Sequence, residues 1–146
     1  MKKLIMMTTT LALASGLSST ADAAKSDGAA VKAAIAAFVQ AGDDQDPAAL
    51  EPVLHPEFRV VFRMAGSNEL TVLDRGTYAQ LLEAKKIGGD ARRLKVLSMK
   101  QRDGLAEATV RLDGAKARFE GHMTLVRTPS GWKLIQDATL FSPKAK

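Results

Sequence analysis

The chain has 146 residues, 46% of them apolar and 25% charged, with 21 basic and 16 acidic side chains and a net charge of +5. That balance fits one globular domain around one core, and excludes a disordered chain too poor in apolar groups to offset its folding entropy. The absence of cysteine excludes a disulfide framework and a lipid-modified cysteine, even for a protein that works outside the cytoplasm.

Lys2 and Lys3 open the chain, a mostly apolar run follows from Leu4 to Leu17, and Ala21-Asp22-Ala23 supplies an A-x-A processing site. Residues 1–23 therefore read as a secretory signal peptide, with cleavage after Ala23 and a periplasmic or secreted mature protein. Thr8, Thr9 and Thr10 interrupt the run, which is shorter than the roughly 20 apolar residues of a membrane span. No membrane partner is expected after cleavage. Residues 24–146 are expected to form a single domain. Its densest basic groups, Lys85-Lys86 and Arg92-Arg93, have no aromatic residues interleaved with them, so nucleic acid is not an expected partner.

A short leader from Ala24 is expected to end at Asp27, which can cap a helix from about Gly28 to Ala41. Val31, Ile35, Phe38, Val39 and Gly42 form one apolar stripe on it, and that stripe should face the core. Asp46-Pro47 restarts helix as an N-cap followed by proline at the first helical position. This second helix, over about Ala48 to Leu54, should stay short, because Pro52 lacks the N–H of a helix interior and His55-Pro56 disfavours continuation.

Phe58 to Met64 is rich in β-branched and aromatic residues and reads as the first strand, with Phe58, Val60 and Phe62 on one face. A brief strand follows at Glu69 to Leu73. Thr77-x-x-Gln80 has the form of a capping box for a third helix through about Lys86, with Tyr78, Leu81 and Leu82 inward and Gly88-Gly89 as its stop.

From Arg92 onward the period is two. Leu94, Val96 and Ser98 oppose Leu97 and Met99, and turns at Arg102-Asp103-Gly104 and Asp113-Gly114 bracket a strand with Ala106, Ala108, Val110 and Leu112 on one side. The last two strands, Lys116 to Arg127 and Trp132 to Phe141, flank a Thr128-Pro129-Ser130-Gly131 turn and should form a hairpin at the centre of the sheet. Phe119, Gly121 and Met123 alternate with Glu120, His122 and Thr124; Trp132, Leu134, Ala138 and Leu140 alternate with Ile135, Asp137, Thr139 and Phe141. The alternation gives two faces without saying which is inside. Helices with one apolar stripe each, beside an antiparallel sheet, make an α+β domain.

Several phrases in this order resemble the nuclear transport factor 2-like superfamily, which includes ketosteroid isomerases, polyketide cyclases and scytalone dehydratase. They are Ala34-Ile35-x-x-Phe38 with Gly42, Asp46-x-x-x-Leu50-x-x-Val53-Leu54-His55-Pro56-Glu57-Phe58, and Gly131-Trp132-Lys133-Leu134-Ile135. The Leu54-His55-Pro56-Glu57 phrase is most similar to the lumazine-binding branch. The resemblance implies a strongly bent antiparallel sheet wrapped around a long N-terminal helix with two further helices, a pocket between helices and sheet, and dimerisation through the outer sheet face.

Catalytic residues do not carry over. Where the isomerases of this superfamily hold a pocket aspartate, the chain reads Val61-Phe62-Arg63; the pocket histidines and tyrosines of the dehydratase face a chain with two His and one Tyr. Asp137 lies mid-strand between apolar neighbours and is either a pocket acid or a partner for Arg118 or Arg111 on the outer face. His122 is either part of a ligand wall or on a hydrated dimer face; His55 fixes a turn. Two distant histidines without an acid cluster make no metal site, and no nucleotide loop, zinc signature or nucleophile elbow is present, so no cofactor is expected.

The candidate ligand-binding residues are Phe38, Phe58, Phe62, Tyr78, His122 and Asp137, an apolar wall with a few polar groups as a small-molecule site requires. Three functions follow. The first is an exported, non-catalytic binder of a small apolar or aromatic molecule, as a homodimer. The second is a cyclase or isomerase-like enzyme using Asp137 with Tyr78 or His122; the third is an interaction module whose pocket its own side chains fill.

Overall fold

The computed structural model describes residues 19–146, with side chains from residue 27 onward. The run from Leu4 to Leu17 lies outside the described residues. Two α-helices, a single 3-10 turn and six strands follow: α1 (Ser19–Asp43), the turn (Pro47–Leu50), β1 (Leu54–Met64), β2 (Thr71–Asp74), α2 (Arg75–Glu83), β3 (Arg93–Arg102), β4 (Leu105–Asp113), β5 (Ala117–Thr128) and β6 (Gly131–Pro143). No described helix is long and apolar enough to cross a membrane.

The alanine-rich first helix begins before the expected cap, so Asp27 lies within it. Its carboxylate instead accepts from Arg127 Nη1 at 3.0 Å and from the Trp132 indole at 3.4 Å, pinning the helix to the β5–β6 hairpin. The stripe of Val31, Ile35, Phe38, Val39 and Gly42 is buried throughout, as the 3.6 period requires. Asp46 caps the next segment by accepting from the Ala48 and Ala49 N–H groups, but only one 3-10 turn forms before Pro52 ends it. The expected second helix is therefore that turn. Leu54, expected in it, begins β1 and pairs with Leu134. Asp74, not Thr77, caps α2, accepting the Thr77 N–H at 2.8 Å.

The sheet is mixed rather than antiparallel. Its order is β2-β1-β6-β5-β4-β3, and β1 runs parallel to β6 while every other pair is antiparallel. The β5–β6 hairpin occupies the centre, as its alternation predicts. α1 packs against β6 and β3, and α2 against β1, so one face is covered by helices and carries the core.

The ladder is irregular at three places: between Leu54 and Arg59 of β1, and at a one-residue bulge in each of β6 and β3. Thr124 pairs with Gln136 but Leu125 pairs with Leu134, leaving Ile135 as an extra residue in β6. A bulge of one residue shifts the phase of everything beyond it. Trp132 and Leu134 therefore share the covered face with Asp137, Thr139 and Phe141, which strict alternation places opposite them. Leu97 does the same in β3, between pairs at Val96 and Ser98, and brings Met99 to the side of Leu94 and Val96.

Three rows of side chains cross the covered face in register. Val60, Asp137, Met123, Ala108 and Met99 make one; Phe62, Thr139, Gly121, Val110 and Val96 the next; Phe141, Phe119, Leu112 and Leu94 the third. Phe38, Phe58 and Tyr78 pack above them with ring centroids 5.6, 5.8 and 5.9 Å apart. Phe58 is 1% exposed, and truncating such a core aromatic costs about 3–5 kcal/mol.

Deletion of Ile135 removes only the unpaired residue: Leu134 then stands directly before Gln136, both keep their β5 partners, and Asp137, Thr139 and Phe141 stay on the covered face. It should therefore cost less in urea denaturation than Phe58→Ala, whose loss is about 3–5 kcal/mol; a larger cost would contradict the assignment of the bulge.

Candidate functional site

Five of the six candidate residues lie on the covered side. Phe38 and Phe58 are buried, Tyr78 and Phe62 are half-buried, and Asp137 is the one charged residue buried in the described core, at 7% exposure. His122 does not join them. It follows Gly121 in an unbroken stretch of β5, so it projects from the uncovered face, where its Nδ1 lies 3.3 Å from the Thr109 hydroxyl. The proposed outer-face partners of Asp137 are also engaged elsewhere: Arg118 Nε donates to Asp113 at 2.8 Å and Arg111 pairs with Glu120 at 3.6 Å. His55 fixes a turn, its Nδ1 accepting the Glu57 N–H at 3.0 Å.

Asp137 stands in an apolar row, with Val60 and Met123 as its cross-strand neighbours. Its Oδ1 is buried without a hydrogen-bond partner, an arrangement folded proteins rarely keep without a reason. Gly121 makes room for it. A Cβ there would lie 2.9 Å from Asp137 Oδ1 and 3.4 Å from the Val110 methyl, so the carboxyl leans over a bare backbone. A glycine inside a strand signals such close approach, and Gly121 is the mark of Asp137's place that the sequence carries.

Arg92 is the other residue the sequence reading left among surface charges. Its guanidinium donates to Asp43 at 2.5 Å and to the Val39 carbonyl at 3.2 Å, and it lies 5.2 Å from the Phe119 ring centre. Exposures of 12% and 9% make Arg92–Asp43 a mostly desolvated pair, in which removing either partner strands a charge. The pair ties the segment before β3 to the end of α1. Below Arg92, Phe119, Phe141 and Phe62 form a second aromatic group, with centroids 5.1 and 5.5 Å apart. All three are half-buried, as is Thr139.

Electrostatics follow from burial. The Asp137 carboxyl is pushed up to about 7, mainly because burial penalises its charge, with Arg92 opposing. Burial pushes the Tyr78 hydroxyl up to about 12, with Arg92 opposing and Asp137 and Asp43 reinforcing. At neutral pH the phenol is a hydrogen-bond donor, while the carboxyl is divided between acid and carboxylate.

Two grooves of about 310 and 270 Å³ lie on the uncovered face, and both include His122. Their polar lining is exposed or half-buried and includes no residue with a buried, unpartnered polar atom, so the covered face around Asp137 is the stronger candidate despite the size of the grooves.

Because Asp137 titrates higher in the folded chain than its ordinary 3.8, the native state binds more protons than the unfolded one between about pH 4 and 7. Stability should fall across that window as pH rises, by up to about 1.4 kcal/mol per pH unit, and flatten above it. Asp137→Asn should remove the slope and be the more stable protein at high pH. Urea titrations across the window test this; an unchanged slope in the variant would reject it.

Comparison with known proteins supplies a family. The profile of the family described as "Putative lumazine-binding" matches residues 26–138, more than half of the chain. Among curated proteins, none matches in sequence. An NTF-2 like protein of unknown function from Silicibacter pomeroyi shares 20% identity at a TM-score of 0.69, over 83% of this chain and 98% of that one. An NTF2-like protein of unknown function from Shewanella baltica shares 12% identity at 0.71, over 82% and 96%. A superfamily protein from Salmonella enterica shares 13% at 0.62, over 84% and 94%. At these identities the likeness carries fold alone. The chain belongs to the family so described, and it has the fold of the NTF2-like proteins.

Proposed function

We propose that this is an exported protein that binds a small, apolar or aromatic molecule between α1, α2 and the covered face of the sheet. The observation that carries the reading is Asp137, a buried carboxyl with an unpartnered oxygen, on the same face of the sheet as half-buried Phe62, Phe119 and Phe141. Apolar walls with one or two fixed polar groups are what small-molecule sites are made of. The family description names lumazine, a planar bicyclic ring, and a flat aromatic ligand suits three phenyl faces. Export rests on Lys2, Lys3, the apolar run and Ala21-x-Ala23.

A second reading, an acid–base enzyme, is favoured by the electrostatic coupling of Asp137 to Tyr78, since a carboxyl poised near neutrality can exchange a proton with a substrate. His122 has no part in it. In that case Asp137→Asn abolishes turnover of a bound aromatic compound while the fold persists.

Flat aromatic compounds should raise the melting temperature, and Phe119→Ala should weaken their binding about three- to tenfold. Native mass spectrometry of protein from its own source should show an N-terminus at Ala24 and a retained small molecule. A flat thermal response across a broad panel would sink the binding reading.

The uncovered face is proposed to join two copies. Leu140 is 38% exposed there, beside half-buried Val61 and Ala138. Leu140→Glu should then shift sedimentation from dimer to monomer without lowering monomer stability; a wild-type chain that is monomeric at high micromolar concentration ends this part.

A further inference from the structure

We infer that the bound molecule is a planar ring carrying a lactam or amidine edge, an N–H beside an acceptor, and that this edge pairs in two hydrogen bonds with the Asp137 carboxyl. This rests on the binding reading above and names the chemical class that the site selects.

The carboxyl's surroundings decide what it needs. A neutral carboxyl offers one donor and one acceptor, whereas a carboxylate offers acceptors only. Across the sheet Asp137 meets Val60 of β1 and Met123 of β5, and its Oδ1 lies against Gly121 and the Val110 methyl of β4. None of these is charged or titratable. From the segment before β3 the charge that acts on it is Arg92, and Asp137 in turn acts, with Asp43, on the Tyr78 hydroxyl of α2. Arg92 is already spent on Asp43 and the Val39 carbonyl, so no strong ion pair holds Asp137 ionised, and its neutral form is the one the site is built around.

Each rival ligand leaves something unpaired. An aliphatic chain leaves both carboxyl positions orphaned, at the cost of a buried polar group without a partner. A plain ketone takes the proton and leaves the acceptor oxygen bare. An anion takes the proton but leaves the acceptor oxygen bare, and gives up its hydration among apolar walls. A lactam or amidine edge satisfies donor and acceptor together, and its planar ring can lie against Phe62, Phe119 and Phe141.

The test uses the full chain and three probes: 2-quinolinone, its N-methyl derivative and naphthalene, titrated calorimetrically at about pH 5.5 and about pH 8.5. 2-Quinolinone should bind about tenfold more tightly than the N-methyl compound at the lower pH. The preference should shrink at the higher pH, where the carboxylate faces the lactam carbonyl with like polarity. Asp137→Asn, whose amide keeps one donor and one acceptor, should hold the preference at both pH values. Asp137→Leu should abolish it, with circular dichroism showing the fold retained. Equal affinity for the two quinolinones in the wild type, or a preference that survives in Asp137→Leu, overturns the inference. Naphthalene binding without any lactam preference removes this edge and leaves the binding reading standing; silence from all three probes overturns both.

Discussion

One strand, β6, is held on both sides by partners that run in opposite senses: β1 parallel and β5 antiparallel. Its first half must put Trp132 and Leu134 against α1 and the hairpin clamp at Asp27, while its second half must line the region under α2 and Arg92. Ile135, as an unpaired residue, lets both halves face the same way. Were Ile135 taken into the ladder instead, the two ends of the strand would compete for the core face, since each step along a strand reverses the side chain's direction. The placement of Asp137, Thr139 and Phe141 depends on it.

Burying Asp137 in this way opposes folding at neutral pH, because the covered face offers its Oδ1 no partner and a desolvated carboxylate is costly. The surrounding structure absorbs this cost. Apolar rows cross the sheet in register on either side, and the Phe38–Phe58–Tyr78 group fills the corner between α1, β1 and α2. Arg92 and Asp43 settle each other's charge close by. A group kept at such expense, next to partly open aromatic rings, is where function is most economically placed. The uncovered face differs in kind: its charges pair across strands or reach water, and its grooves have no comparable buried group.

Much of this was legible in the sequence. The apolar stripe of α1, the alternating runs Ala106 to Leu112 and Ala117 to Leu125, the Asp46-Pro47 restart and the β5–β6 hairpin follow from period and turn chemistry alone. The family phrases also pointed correctly. Other features depended on competing local signals. Thr77 lost the cap to Asp74, whose carboxylate accepts the Thr77 N–H from three residues upstream, and the 3-10 turn stopped where Pro52 allowed no more. His122 was grouped with the site because its strand neighbours could face either way.

The sequence by itself determined the elements, their order, the α+β class and the two alternating faces of each strand, because these depend on contacts within a few residues. Tertiary structure alone decided that β1 joins β6 in parallel, that Arg92 reaches Asp43 across 49 positions, and that Ile135 is the residue left out of the ladder. Register between strands is set by the packing of both partners at once. No single strand's pattern contains it, and so only the folded chain could put Asp137 inside and His122 outside.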